Sequence, residues 1–355
     1  VSGESFLAGR VVGELLRKGS IMAVKDNRIR VAHYGLGSIG IEAAKIAVRS
    51  ERLEVVGGID ISAEKAGKDL GEVIGAEGEL GVRVSSKSQE VLSLRPDVVV
   101  HSTGSRLSDV APQIEEIVSR GINVVSSAEE LLFPLPKNKH LADKLDALAK
   151  ENGVSVLGTG VNPGFVLDSL PAFLTGVCTD VKSVFARRIV DASTRREPLQ
   201  RKVGAGLSVE EFHRRVEEGR LGHVGLVESV ALVADCLGWE LDNLFERVDP
   251  VISHGNITTD YVEVREGQAA GIRHTAKGFR QGEPVISLEL QMFVGAPEPH
   301  DYVRVDAVPP MEVRVEGGTA GDAATAAIIV NAIPKVISAP AGYVTMKDIG
   351  LISAL

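Results

Sequence analysis

Residues 29–40, IRVAHYGLGSIG, constrain the fold more than any other part of this 355-residue chain. The apolar residues Ile29, Val31 and Ala32 read as a buried strand, and SIGIEAAKIAVRS then sets Ile39, Ala43 and Ile46 on one helical face. Between them Gly35, Gly37 and Gly40 have G-x-G-x-x-G spacing. The spacing gains meaning from this order of strand, glycine turn and helix. Gly35 permits the tight turn, Gly37 lets the backbone approach a pyrophosphate, and Gly40 lets the helix pack on the sheet. Free N–H groups at Ser38 and Ile39, at the positive helix end, favour the anion. Asp60 closes the next apolar run, LEVVGGID, twenty residues after Gly40, where a carboxylate accepts from a ribose diol. The expected cofactor is NAD or NADP. The charge of Asp60 opposes a 2′-phosphate, but Lys65 and Lys68 lie close behind it, so both remain open.

The same alternation continues. VRV at 82–84, PDVVVHST at 96–103, INVVS at 122–126 and VSVLG at 154–158 read as strands, with helices expected over 62–74, 109–119 and 137–151. This predicts an α/β fold, a Rossmann-type doubly wound parallel sheet, over residues 28–157. Ser102, Thr103 and Gly104 end the fourth strand, on the side where ligands of such sheets bind. Residues 1–27 read as an N-terminal extension. FLAGRVVGELLRKG suits a short amphipathic helix and lacks a secretory cleavage pattern.

After residue 178 the pattern changes. VKSVFARRIV reads as a long strand, and SVEEFHRRVEEG and GLVESVALVADCLG as helices. Ile286, Leu288, Leu290 and Met292 then alternate with Ser287, Glu289 and Gln291, and a period of two recurs at 303–305 and 311–315. This predicts a second α+β domain, residues 158–317, on an open, mainly antiparallel sheet that binds substrate and supports a homodimer. Residues 318–355 are expected to form a C-terminal helix, within TAGDAATAAIIVNAI, and a tail packing back on the first domain.

A net charge of −9 without a basic block argues against nucleic acid as a partner. No run of about 18 apolar residues suggests a membrane span. Cys178 and Cys236 form neither a disulfide framework nor a metal pair, and the eight histidines are scattered, so no metal and a cytoplasmic location are expected.

The loop GTGVNPGFVLDSLP, residues 158–171, follows the last strand of the first domain. Its Asn162 and Pro163 suit a rigid turn against a nicotinamide, with Phe165 as a substrate contact. With this loop, VAHYGLGSIG, GGIDISAEKAGKDLGEV, NVVSSAEELLFP, GHVGLVESVALVADCLGW and GGTAGDAATAAIIVNAIPKVISAPAGYVTMKDI, the chain resembles the 2,4-diaminopentanoate dehydrogenase family and the related native amine dehydrogenases over nearly all of residues 28–350. The dinucleotide domain of that family is similar to that of dihydrodipicolinate reductase. The resemblance implies NAD(P)-dependent oxidative deamination of an amine or diamino acid, or reductive amination of a ketone with ammonia.

It also implies a catalytic glutamate in SSAEELLFP, which offers Glu129 and Glu130. Ser127-x-x-Glu130 matches a capping box, which would turn Glu130 back to its own helix start and leave Glu129 for the cleft. Ser126-x-x-Glu129 fits too, with the roles exchanged. A base working near neutral pH at a helix start needs partial burial. In the second domain Arg201 or Lys202 could hold a substrate carboxylate. His223 reads as a pocket residue or a satisfied buried histidine, and His274 shares a face with Ile272 and Ala276. A cyclic-imine reductase and a non-catalytic dinucleotide sensor are the competing functions.

Overall fold

The structure, a computed structural model, describes residues 28–355. The amphipathic segment expected near the amino end lies outside the described residues. The chain runs β1 (Ile29–Tyr34), α1 (Ser38–Arg49), β2 (Leu53–Ile59), α2 (Leu70–Ile74), β3 (Val84–Ser85), α3 (Ser88–Leu92), β4 (Val98–His101), α4 (Leu107–Val118), β5 (Asn123–Ser126), α5 (Lys139–Asn152) and β6 (Ser155–Gly158). It continues through α6 (Ser169–Thr175), β7 (Thr179–Asp191), α7 (Glu197–Lys202), α8 (Val209–Glu217), α9 (Leu226–Leu237), β8 (Asn243–Ile252), β9 (Ile257–Thr258) and β10 (Glu263–Val264). It ends with β11 (Ala269–Arg280), β12 (Glu283–Phe293), β13 (His300–Val308), β14 (Met311–Glu316), α10 (Gly321–Ser338) and β15 (Gly342–Val344).

The first sheet has seven parallel strands in the order β15-β6-β5-β4-β1-β2-β3. Every residue of β4 is buried, as in a central parallel strand covered on both faces. The strand order reverses between β1 and β4. A crevice therefore opens at their carboxyl ends, at Gly35 and Ser102, where ligands of this architecture bind. The helix expected over 62–74 is correct only in its last turns, Leu70–Ile74. Gly67 takes φ +90, which ends the preceding turns, and Asp69 caps the short helix by accepting from Gly71 N–H at 2.7 Å.

The second sheet has the order β14-β13-β7-β12-β11-β8. Its neighbours are antiparallel except β7 and β12, which run parallel, so the sheet is mixed. Val184, Ala186, Ile286, Leu288 and Leu290 point to one face and pack against Leu226, Val230 and Val233 of α9. The other face carries Phe185, Arg187, Glu289 and Tyr302 and, among the described residues, has no helix of that core on it.

The chain then returns to the first sheet. α10 buries Ile329, Val330, Ile333 and Val336 against Val31, Val98, Val125 and Leu157, and β15 pairs with β6. The helix runs five residues past Ile333, through Pro334. An internal proline costs a helix roughly 3 kcal/mol, and the buried Ile333 and Val336 on either side of it offset that cost. Ile329→Ala should therefore lower stability by about 2–5 kcal/mol in urea unfolding, whereas Ile337→Ala, on the exposed side, should change it by less than about 1 kcal/mol.

Candidate active site

The three glycines of the first turn have separate jobs. A Cβ on Gly35, which has φ +89, would lie 2.5 Å from the Ser102 carbonyl oxygen. One on Gly40 would lie 1.9 Å from the Gly35 carbonyl oxygen. Both are needed for close packing of β1, α1 and the end of β4, and Ser102 Oγ donates to the Gly35 carbonyl at 2.8 Å. A Cβ on Gly37 would meet nothing within 4 Å, and Gly37 lines the cleft. That open side at a helix start fits a pyrophosphate. Asp60 Oδ2 accepts from Leu36 N–H and Oδ1 from Ser62 N–H, each at 2.8 Å, with Lys65 Nζ 3.3 Å away. Burial raises its pKa, but these donors together hold it below the usual carboxylate range.

The cleft, about 410 Å³, lies between the carboxyl ends of the first sheet and the inner face of the second. Gly37, Ser38, Ile39, Ser102, Thr103 and Gly104 line it, together with Ser105 and Glu129. Asn162, Pro163 and His223 line it too. Asn162 Oδ1 is buried without a hydrogen-bond partner in the protein, an acceptor left for a donor that a ligand brings. With the open approach at Gly37 and the acidic Asp60, these residues fit a nicotinamide dinucleotide.

The two adjacent glutamates diverge, though not by the capping box expected from sequence. Residues Glu129–Leu131 form a single 3-10 turn whose N-cap, Ala128, makes no side-chain cap bond. Glu130 reaches instead to the start of a different helix. Its Oε2 accepts from Leu107 N–H of α4 and from Asn138 Nδ2, and its Oε1 from Lys137 Nζ, each at 2.9 Å. Burial alone would raise its pKa, but Lys137 and the other donors hold it low. Glu129 faces the cleft. Burial raises its pKa, and the opposing hydrogen bond from Ser105 and the charge of Lys202 do not cancel the rise. A Cβ on Gly225, which has φ +102, would lie 2.6 Å from Pro163 Cγ and 3.0 Å from Glu129 Cβ. The 222–225 loop thus presses both residues into place.

His223 Nε2 lies 3.0 Å from Asn162 Nδ2 and 3.1 Å from the Asn162 carbonyl oxygen. Burial, with neighbouring cations, lowers the His223 pKa to about 3, so its ring is neutral at ordinary pH. His274 does not line the cleft. Its Nδ1 accepts from His223 N–H at 3.3 Å and its Nε2 donates to Glu246 at 2.9 Å, so it supports the residue that does. Phe165 sits on the far side of its turn, 38% exposed, away from the cleft lining. Arg201 is also outside, paired with Glu197 at 2.8 Å, and the next residue, Lys202, lines the cleft. One step along α7 turns the side chain by about 100°, which separates the two.

Sequence reading missed Arg188, Arg196, Asp322 and Thr325, all of which line the cleft. Arg188 carried a signal: in VFARRIV it occupies the inward phase with Val184, Ala186 and Val190. An arginine among core positions of a strand is costly unless it is paired or used.

Comparison with known proteins agrees with the geometry. Residues 165–355 match the family model of the 2,4-diaminopentanoate dehydrogenase C-terminal domain, and residues 29–128 that of the dihydrodipicolinate reductase N-terminus. The chain is 33% identical to 2,4-diaminopentanoate dehydrogenase of Acetoanaerobium sticklandii over 337 residues, covering 91% of this chain and 93% of the relative. It is 27% identical to amine dehydrogenase of Streptomyces virginiae over 350 residues, covering 91% and 96%. The structure of amine dehydrogenase from Mycobacterium smegmatis superposes with a TM-score of 0.81 at 25% identity, covering 92% of this chain and 97% of that one. A Rossmann-type sheet, a cleft fit for a dinucleotide and these matches lead to one conclusion: the chain belongs to the 2,4-diaminopentanoate dehydrogenase family of oxidoreductases.

Proposed function

We propose that the protein oxidises an amine carbon to an imine, with release of ammonia on hydrolysis, or runs the reverse reductive amination. The observation that carries this is Glu129, a carboxyl of raised pKa that lines the cleft with Asn162 and His223. A substrate ammonium cannot release hydride until it has lost a proton. Glu129 takes that proton on its Oε atoms, and its raised pKa suits a base that must give the proton up again. The bound nicotinamide supplies the hydride acceptor. Once that first proton has passed to solvent, Glu129 accepts a proton from the water that attacks the imine carbon and returns it to the nitrogen, so that the C–N bond breaks with loss of ammonia as the carbonyl forms. His223 stays neutral and holds Asn162, whose free Oδ1 orients a donor on cofactor or substrate. The substrate class rests on the relatives, one named for a diamino acid and others for amines.

For the cofactor we propose NAD ahead of NADP. Asp60 is ionised at the ribose position, and both nearby lysines are engaged: Lys65 beside Asp60, and Lys68 with Glu72 at 2.6 Å. Little positive charge remains for a 2′-phosphate.

We further propose a homodimer through the open face of the second sheet. Phe185 and Tyr302 lie 6.0 Å apart there, with the Arg187 guanidinium 5.2 Å over the Phe185 ring. Glu289, nearly buried on the same face, takes Arg187 at 3.1 Å and Arg273 at 2.9 Å. A sheet face of ring contacts and ion pairs, without a covering layer among the described residues, suits a two-fold copy of itself. Tyr302→Glu should shift the sedimentation coefficient from dimer to monomer; a parent that already sediments as a monomer removes the idea.

The reaction is tested by following absorbance of reduced nicotinamide, with ketones plus ammonia in one direction and with amines, including 2,4-diaminopentanoate, in the other. Turnover in both is expected. In deamination kcat/KM should rise with pH through a midpoint above the ordinary carboxylate range of about 4–4.5, because only ionised Glu129 accepts a proton. A parent that binds dinucleotide and converts none of these would return the cyclic-imine reductase and the sensor to first place.

A further inference from the structure

The cleft has a cationic end that proton transfer at Glu129 does not use. Arg188, 3% exposed, donates from Nη2 to the Thr319 carbonyl, and its Nη1 lies 3.5 Å from Asp301 Oδ1. That Nη1 is buried and makes no hydrogen bond in the protein. Asp301 Oδ2 accepts from Thr319 N–H at 2.7 Å, and its Oδ1, though an ion-pair partner of Arg188, is too far to accept a hydrogen bond from that Nη1. Residue 319 leads into α10, an 18-residue helix whose N-cap, Ala320, makes no side-chain cap bond. Its first-turn N–H groups therefore lack intrahelical partners, and Gly321, Asp322 and Thr325 line the cleft. A Cβ on Gly321 would stand 3.7 Å from Arg195 Nη2 and 4.0 Å from Arg188 Nη2. Two guanidiniums thus converge on the positive end of a helix. Arg196 stands beside them, with Nη2 3.1 Å from Ser38 Oγ and 3.3 Å from Asp322. A recess of about 190 Å³ shares Arg188, Arg196 and Asp322 with the main cleft.

Three guanidiniums and a helix N-terminus face two carboxylates here. Like charges gathered in a partly dry recess repel unless an anion joins them, and a buried N–H left unpaired carries a desolvation cost. Guanidinium groups match carboxylate and phosphate oxygens two at a time.

We propose that Arg188, Arg196 and the open start of α10 form an oxyanion subsite holding a carboxylate or phosphate group brought into the cleft. Two sources share that chemistry. Arg196 touches Ser38 at the phosphate loop, so a dinucleotide phosphate is one. The carboxylate of an amino-acid substrate whose amine lies at Glu129 is the other, and only this arm rests on the amine dehydrogenase reading.

The test compares Arg196→Gln and Arg188→Gln with the parent. Arg196 is more than half exposed, so its variant should fold even if loss of the buried Arg188 does not. Three quantities are read: the Kd of reduced dinucleotide by nicotinamide fluorescence, the Kd of inorganic phosphate for the dinucleotide-loaded protein, and the kcat/KM ratio of 2,4-diaminopentanoate to 2-aminopentane. A rise of about tenfold or more in dinucleotide Kd assigns the subsite to the cofactor. An unchanged dinucleotide Kd, with about a tenfold loss of phosphate affinity and of preference for the carboxylate-bearing amine, assigns it to substrate. If Arg196→Gln melts like the parent and moves none of the three by more than about twofold, the subsite is wrong. If no amine is converted while phosphate binding still depends on the arginines, the subsite stands and the amine reading fails.

Discussion

The Glu130–Lys137–Glu228 cluster is the contact on which the geometry of the cleft depends. Glu130 joins the exit of β5 to the start of α4 through Leu107 N–H. Lys137 lies 2.9 Å from Glu130 and 3.3 Å from Glu228, a residue of α9 that is 1% exposed. One ammonium thus ties the first sheet to the helix that backs the second. Hydrogen bonds to charged groups are worth roughly 1.5–3 kcal/mol each, and a buried carboxylate stripped of its partner costs more than the bond returned. Glu228 shows the strain of this arrangement: burial raises its pKa, and Lys137, 3.3 Å from one of its oxygens, only partly relieves it. The cluster is therefore better understood as fixing geometry than as a source of net stability.

That geometry gives two neighbouring carboxyls opposite properties. Glu130 receives three donors and is held ionised; Glu129, one residue away, is partly buried with few donors and is pushed toward its protonated form. The sign of each follows from linkage. A lowered pKa stabilises the fold above the unfolded value and is lost as pH falls through the folded one. A raised pKa favours the fold only below the unfolded value, so at neutral pH Glu129 is held at a cost to stability. Such a cost at a cleft wall is the pattern expected of a working group rather than a structural one.

Much of the fold was legible because local signals agreed. The glycine spacing, the strand before it and the helix after it pointed to one turn, and the apolar run in β4 fitted a central parallel strand. The position of Asp60, at the end of β2 beside the glycine turn, was readable from its distance to Gly40. The site beyond the cofactor loop was less legible, since its residues meet only in three dimensions. Glu130 caps a helix that starts 23 residues upstream, so a capping box drawn within SSAEEL could not find its partner. Arg201 and Lys202 differ only in helical phase, and no nearby pattern fixed that phase. His274 had the right alternation but points one layer behind the cleft. Arg188 was visible as an arginine on the inward phase of a strand, a departure from period-two patterning that called for an explanation. The parallel pairing of β7 with β12 left no mark, because alternation reports a buried face and not strand direction.

The division of labour between the two glutamates is tested most directly by measuring turnover, dinucleotide affinity and melting temperature at pH 7 for Glu129→Gln and Glu130→Gln beside the parent. Glu129→Gln should lose turnover by a factor of about 100 or more, keep dinucleotide affinity and melt no lower than the parent. Glu130→Gln should melt lower, since it weakens the bonds to Lys137 and the start of α4. If Glu129→Gln retains turnover, or if Glu130→Gln abolishes it while melting like the parent, the assignment is contradicted.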